Sequence, residues 1–164
     1  MIRSPIVCRT AQALGVLGVF ICFALNANSQ QVRPHQNPNL DPATLQYRLP
    51  SQIHWVTSPM GAQTAVLAGN PSKPGLYIML VKWLPHHMSH PHWHPNDRFI
   101  TVLSGTWWVG TGTKFDPNRT VPMRAGTFVT HYARHVHFDG AKAQPALIEI
   151  VGEGPATATL AENK

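Results

Sequence analysis

Between Gln63 and Val151 the apolar residues come in short runs, each closed by a cluster of turn formers. Such runs cannot line one face of a helix of ordinary length. They suit strands with one or both faces covered. The pattern predicts strands at Gln63–Leu67, Leu76–Trp83, Phe99–Leu103, Trp107–Val109, Thr127–His131, His135–Phe138 and Ala146–Val151. Breaks fall at 69–75 (GNPSKPG), Ser104-Gly105, 110–120 (GTGTKFDPNRT), Arg124-Ala125-Gly126 and the loop from Phe138 to Pro145. Seven strands over roughly 100 residues, joined by hairpin-length loops, predict an all-β sandwich or barrel.

The chain ahead of the strands has a different character. Arg3 and Arg9 precede a 13-residue apolar run, Ala13 to Leu25, which is short for a membrane span. Ala27-Asn28-Ser29 then places small residues before Gln30. Residues 1–29 therefore read as a signal peptide, and the expected location is secreted or periplasmic, with no stable membrane anchor after cleavage. An uncleaved anchor is the rival reading. Residues 30–50 read as a polar leader, in which Asp41 as N-cap and Pro42 at the first helical position start a helix that Pro50 keeps short. A barrel over 51–157 and a C-terminal tail over 158–164 complete the expected organisation.

Both cysteines, Cys8 and Cys22, lie inside the signal segment. The mature chain would then have no disulfide and no thiolate ligand, so a metal site must use histidine and oxygen. The formal net charge is +6, and the basic residues are scattered. No basic stripe forms, so no nucleic-acid partner is expected.

Histidine is concentrated instead. Eight of the ten histidines fall between positions 86 and 137, in two groups: His86, His87, His90, His92 and His94, then His131, His135 and His137. Residues two apart on a strand share a face with Cα atoms about 6.5 Å apart, close enough for two imidazoles to lean toward one ion. Residues four apart are about 13 Å apart, too far to share it easily. One adjacent pair, His90/His92 or His92/His94, can thus contribute, and a second strand must supply the rest. The alternative for these side chains is a set of solvated surface histidines.

At this point the chain resembles the cupins. Their first motif, G-x5-H-x-H-x3-4-E-x6-G, is matched in spacing by His92-Trp93-His94, three residues, position 98, six residues and Gly105. Their second, G-x5-P-x-G-x2-H-x3-N, maps onto Gly126, positions 132 and 134, and His137. The wording HPHWHPNDRFITVLSGTWWVG further resembles that of secreted bacterial cupins. The resemblance covers roughly residues 60–155 and implies a double-stranded β-helix, or jelly-roll, barrel. It also implies one divalent metal ion (Fe, Mn, Ni or Zn) on His92, His94 and His137. Cupin barrels often pair through edge strands, so the resemblance makes a homodimer possible.

The departures from the motifs carry information. Arg98 replaces the metal-binding Glu, Tyr132 and Arg134 replace the second motif's Pro and Gly, Ala141 replaces its Asn, and His86 stands at the first Gly. Three neutral imidazoles leave a divalent ion its full +2 charge, and Arg98, sharing the parity of 92 and 94, adds another. An unpaired buried charge costs several kcal/mol. Either an anion accompanies Arg98, or Arg98 turns outward, or the metal is lost. Asp97, rotated by a bulge at Pro95-Asn96, is one candidate anion. Glu149 is the other, expected to face the interior and pair with Arg98 or ligate the metal. Its alternative is an outward position. His131 and His135 are candidates to line the pocket as hydrogen-bond donors or proton carriers, or are ordinary polar faces; His86, His87 and His90 read as loop residues.

Three readings of function follow from the resemblance, the last being a structural protein whose metal site has decayed. The first is a three-histidine metalloenzyme, dioxygenase-like or a hydrolase or isomerase, acting on a small oxygen-bearing anion, with Arg98, Glu149 and His131 as catalytic candidates. The second is a non-catalytic ligand-binding or sensory module. In the first two the partner is a small molecule.

Overall fold

The computed structural model describes residues 39–58 and 61–161. The signal peptide read at 1–29 and the polar segment 30–38 lie outside the described residues. Ten strands follow in order: β1 (Val56–Thr57), β2 (Ala62–Ala68), β3 (Gly75–Trp83), β4 (His92–Trp93), β5 (Arg98–Thr111), β6 (Val121–Arg124), β7 (Phe128–His131), β8 (His137–Gly140), β9 (Ala146–Gly154) and β10 (Thr159–Leu160). Every pairing is antiparallel. The all-β expectation holds. Among the described residues no helix is long and apolar enough to cross a membrane.

The long strand β5 joins two sheets. Its first half, from Arg98 to Gly105, lies beside β9 and, at Arg98–Thr101, beside β7. Its second half, from Thr106 to Thr111, lies between β6 and β8. The register shifts between Val102 and Ser104, where Leu103 is an extra residue. Such a bulge bends a strand and reverses which side chains face inward. Ile100 and Val102 are therefore buried before it, and Trp107 and Val109 after it. Ser104-Gly105, expected to end a strand, is this bend. Gly105 has φ +73°, and a Cβ there would lie 2.1 Å from the Pro145 carbonyl oxygen. No other residue fits so close an approach.

The rest of the first sheet runs β1-β2-β3-β9, and the second continues from β8 through β4 to β10. The four strands that periodicity missed are short: β1, β4 and β10 have two residues each, and β6 contains Pro122. A strand of two residues has no period to read, and a proline argues against a central strand. The segment beyond 157 also corrects the expectation of a tail, because Thr159 pairs with Trp93 and Leu160 with His92.

The expected short helix is reduced to one turn. The Asp41 carboxylate does accept from Ala43 N at 2.9 Å and from Thr44 Oγ1 at 3.1 Å. Only Thr44 and Leu45 then bond back to Asp41 O, and the chain extends until a 3-10 turn at Pro50–Gln52. Arg48 fastens this segment to β2, donating to Val66 O at 3.2 Å and Leu67 O at 2.6 Å.

The interior is lined by alternate residues of β3, β9 and β5. Tyr77, Met79, Val81 and Trp83 face it from β3, and Ile148 and Ile150 from β9. They enclose a cavity of about 240 Å³.

Candidate metal centre

Strand pairing brings the two histidine groups together. His92 on β4 is the direct partner of His137 on β8, and Arg98 on β5 is the direct partner of His131 on β7. Ser89 secures the approach to β4: its backbone N–H donates to Asp139 O at 2.7 Å, and its hydroxyl accepts from Asp139 N at 2.9 Å. After β4 the chain turns through Pro95-Asn96. Asn96 donates to Glu153 O at 3.0 Å, and Arg134 N donates to His94 O at 2.7 Å.

The three imidazoles inferred as ligands are buried: His92 is 8 % exposed, His94 6 % and His137 4 %. Each ring is oriented by its own backbone acceptor. His92 Nδ1–H donates to His90 O at 2.8 Å, His94 Nδ1–H to Thr157 O at 2.8 Å, and His137 Nδ1–H to His135 O at 3.1 Å. A carbonyl accepts only, so in the neutral rings Nδ1 carries the proton and Nε2 is a bare lone pair. One nitrogen from each of the three rings lies within 4.8 Å of the others. The Nε2 atoms of His92 and His94 face one another at 3.1 Å, and His137 Nε2 is buried without a hydrogen-bond partner. Arg98 Nη1 meets the lone pair of His94 alone, so a cation placed among the three would relieve the repulsion that remains between them. Metal-binding histidines are oriented in this way, with the outer N–H on a carbonyl. The donor set fits a borderline divalent ion.

Burial favours the neutral forms of His94 and His137. It lowers the His94 pKa to about 2, with the Arg98 guanidinium as the second cause. It also lowers that of His137, to about 4, against the raising effect of Asp139.

Arg98 points inward, as its parity implies, and Nη1 donates to His94 Nε2. Its Nε is buried without a partner. Burial lowers the guanidinium's pKa, while Tyr77 and Asp139 hold it up. Tyr77 and Arg98 sit two strands apart, and both are register partners of Gly152 between them. With no side chain at 152, the Tyr77 ring can cross toward Arg98; a Cβ there would be 2.8 Å from the Tyr77 hydroxyl. Burial raises the pKa of that phenol, and Arg98 lowers it.

Neither expected anion accompanies Arg98. Glu149 lies between Ile148 and Ile150, whose side chains line the cavity, and alternation turns it to the opposite face of β9. It neither lines the cavity nor belongs to a candidate metal group among the described residues. Asp97 is exposed and accepts from Ala133 N at 2.7 Å, outside the cavity. The anion that is present is Asp139, which sequence reasoning missed. Among the described residues it is the one buried acid, 6 % exposed. Its Oδ1 accepts from Trp107 Nε1 at 3.1 Å, and its Oδ2 stands 3.9 Å from His137 Nε2. The signal was available, since position 139 shares the parity of His137 on one strand.

His131 is buried at 7 % exposure with both ring nitrogens unpartnered. Its ring centroid is 3.8 Å from that of His137 and 5.4 Å from that of Trp107. Burial, then His137, lowers its pKa to about 2. His86, His87, His90 and His135 are exposed, although His90 reaches the cavity rim. Two motif glycines replaced here are explained by the backbone. Among the described residues the non-glycine residues at positive φ are His86 and Arg134, both at φ 63° and both at motif glycine positions. The left-handed turns remain at these positions, at a cost of about 1–2 kcal/mol each for an L side chain.

No family model matches the chain, and no curated protein matches it. Solved structures do. The polyketide cyclase RemF from Streptomyces resistomycificus aligns with TM-score 0.61 at 15 % identity over 73 % of this chain and 87 % of its own. A cupin-2 domain protein from Rhodospirillum rubrum aligns with TM-score 0.55 at 15 % identity over 78 % and 82 %. KdgF from Halomonas sp. aligns with TM-score 0.52 at 18 % identity over 64 % and 91 %. The chain has the cupin fold, a double-stranded β-helix, with a histidine cluster that could hold a metal ion.

Proposed function

We propose that this protein is a secreted or periplasmic metal-binding cupin that acts on a small anionic molecule. His92, His94 and His137 hold one divalent ion, and Arg98 with Tyr77 receives an anionic oxygen of the ligand. The observation that carries the reading is the set of three Nδ1–H bonds to carbonyls, which turns three lone pairs inward. Iron or manganese would supply redox chemistry toward dioxygen there, and nickel or zinc Lewis-acid polarisation. The remaining walls, Met79, Val81, Trp83, Ile148 and Ile150, suit an apolar body. A cavity of about 240 Å³ is below the usual range of about 300–1,000 Å³ for drug-sized ligands, so the ligand is small. RemF, a polyketide cyclase, lends the fold's capacity for enzymatic work, not a particular reaction.

A second reading, a non-catalytic binding or sensory module, draws on one contact. Arg98 Nη1 donates to His94 Nε2, the lone pair an ion would take. Arg98 must withdraw for His94 to ligate.

Elemental analysis of tag-free protein is expected to find one divalent ion per chain. His137→Ala should lose it, and His92→Ala should hold it at least about tenfold more weakly. A His92→Ala protein binding as tightly as the wild type would defeat the three-histidine site. Oxygen uptake with a panel of diketones, phenols and carboxylic acids then separates enzyme from binder.

A further inference from the structure

We propose that the ion has a second seat in the same barrel, formed by His131, His137 and Asp139, so that His137 is common to two overlapping ligand sets. The inference rests on the metal-binding reading above for His137 alone.

The geometry on the β7–β8 side is independent of His92 and His94. One ligand atom from each of His131, His137 and Asp139 lies within 4.8 Å of the others, and all three residues are buried. His131 is more than nine-tenths buried with both nitrogens unpartnered, and His137 Nε2 is likewise unpartnered. A buried polar atom left without a partner is costly, and each such orphan calls for an explanation, a bound ion among them. Trp107 Nε1 occupies Asp139 Oδ1 at 3.1 Å, which leaves Oδ2 to an ion. Oδ2 and His137 Nε2 are 3.9 Å apart, a separation that two donors about 2.0–2.2 Å from one ion can span.

Charge favours this seat. The three-histidine set has no carboxylate and is closed by a cation, Arg98, whose Nη1 already donates to His94 Nε2. The second set contains the one buried acid among the described residues. Asp139 thus stands in for the carboxylate that position 98 lacks, from a different strand. Two imidazoles and one carboxylate suit iron(II), manganese(II) or cobalt(II). The stoichiometry stays at one ion. His137 Nδ1 donates to His135 O, so only Nε2 is available, and it cannot bind two ions at once.

The test is titration of tag-free apoprotein with Co²⁺, followed by its visible absorption. Two variants remove a ligand of the second seat and none of the three-histidine set. Asp139→Asn keeps an oxygen for Trp107 Nε1, and His131→Phe keeps a ring against Trp107; thermal melts without metal report on folding. In the His92→Ala/His94→Ala background, where the second seat alone is left, each is expected to bind Co²⁺ at least about tenfold more weakly than that double variant. The His92→Ala/His94→Ala double variant is expected to keep one equivalent of Co²⁺ with weakened affinity and an altered spectrum. Double-variant affinity left unchanged by both Asp139→Asn and His131→Phe would overturn the second seat while leaving the three-histidine site intact. Complete loss of Co²⁺ in the double variant would overturn it as well. Wild-type affinity in the double variant would overturn the three-histidine site instead.

Discussion

The β4 side of the cavity and the β7–β8 side are both rich in imidazole, yet they solve opposite electrostatic problems. On the β4 side, His92 and His94 are each fixed by a carbonyl, and Arg98 closes the cluster. That side is oriented but cationic. On the β7–β8 side, His131 has no hydrogen-bond partner, while Asp139 brings a buried negative charge. It is less oriented but can neutralise an ion. Orientation and charge compensation, which a motif Glu would combine at position 98, are here divided between two strands.

The largest test of that division is Arg98→Glu. It removes the donor at His94 Nε2 and replaces a positive charge with a carboxylate at the position where the cupin motif has one. Metal affinity, measured by competitive titration, should rise at least about 100-fold, equivalent to about 2.7 kcal/mol. Unchanged affinity would mean that Arg98 does not oppose the ion.

Asp139→Ala comes next. It leaves Trp107 Nε1 buried without an acceptor and removes the anion facing Arg98. Urea unfolding of the apoprotein should show a loss of about 1–3 kcal/mol. Asp139→Asn should lose less, because an oxygen remains for Trp107.

The pH dependence of the apoprotein follows from the same cluster. His94, His131 and His137 have folded pKa values of about 2, 2 and 4, lowered chiefly by burial. The unfolded chain takes up these protons near pH 6.5, so below that pH it binds more protons than the folded chain. Stability should therefore be fully present above about pH 6.5 and fall progressively toward pH 4. Denaturation midpoints that stay flat across this window would contradict the burial of neutral imidazoles.

The smallest expected effect belongs to Glu149→Gln. On the outer face of β9, it should change stability by no more than about 0.5 kcal/mol and leave metal affinity alone. A large loss of either would place Glu149 back in the interior.

Much of the β-architecture was legible because a strand's period is local. The runs at 62–68, 75–83 and 146–154 announced themselves within a few residues of their observed limits. His92 and His94 likewise share a face because they are two apart. The bend at Leu103–Gly105 was misread as an end, since a glycine in a bulge and a glycine in a turn look the same in one dimension. Glu149 was misplaced for a related reason. Alternation says which residues of β9 lie together but not which set faces the cavity.

The amino-acid order by itself determined an all-β chain, the absence of cysteine beyond residue 22, and two groups of histidines at strand spacing. Only the tertiary structure decided that His92 would pair with His137 and Arg98 with His131, that Asp139 would be the buried anion, and that Tyr77 would lie over Gly152, the register partner it shares with Arg98. Spacing along a strand is fixed by covalent geometry. Neighbours across a sheet, by contrast, depend on register and curvature set by the whole core.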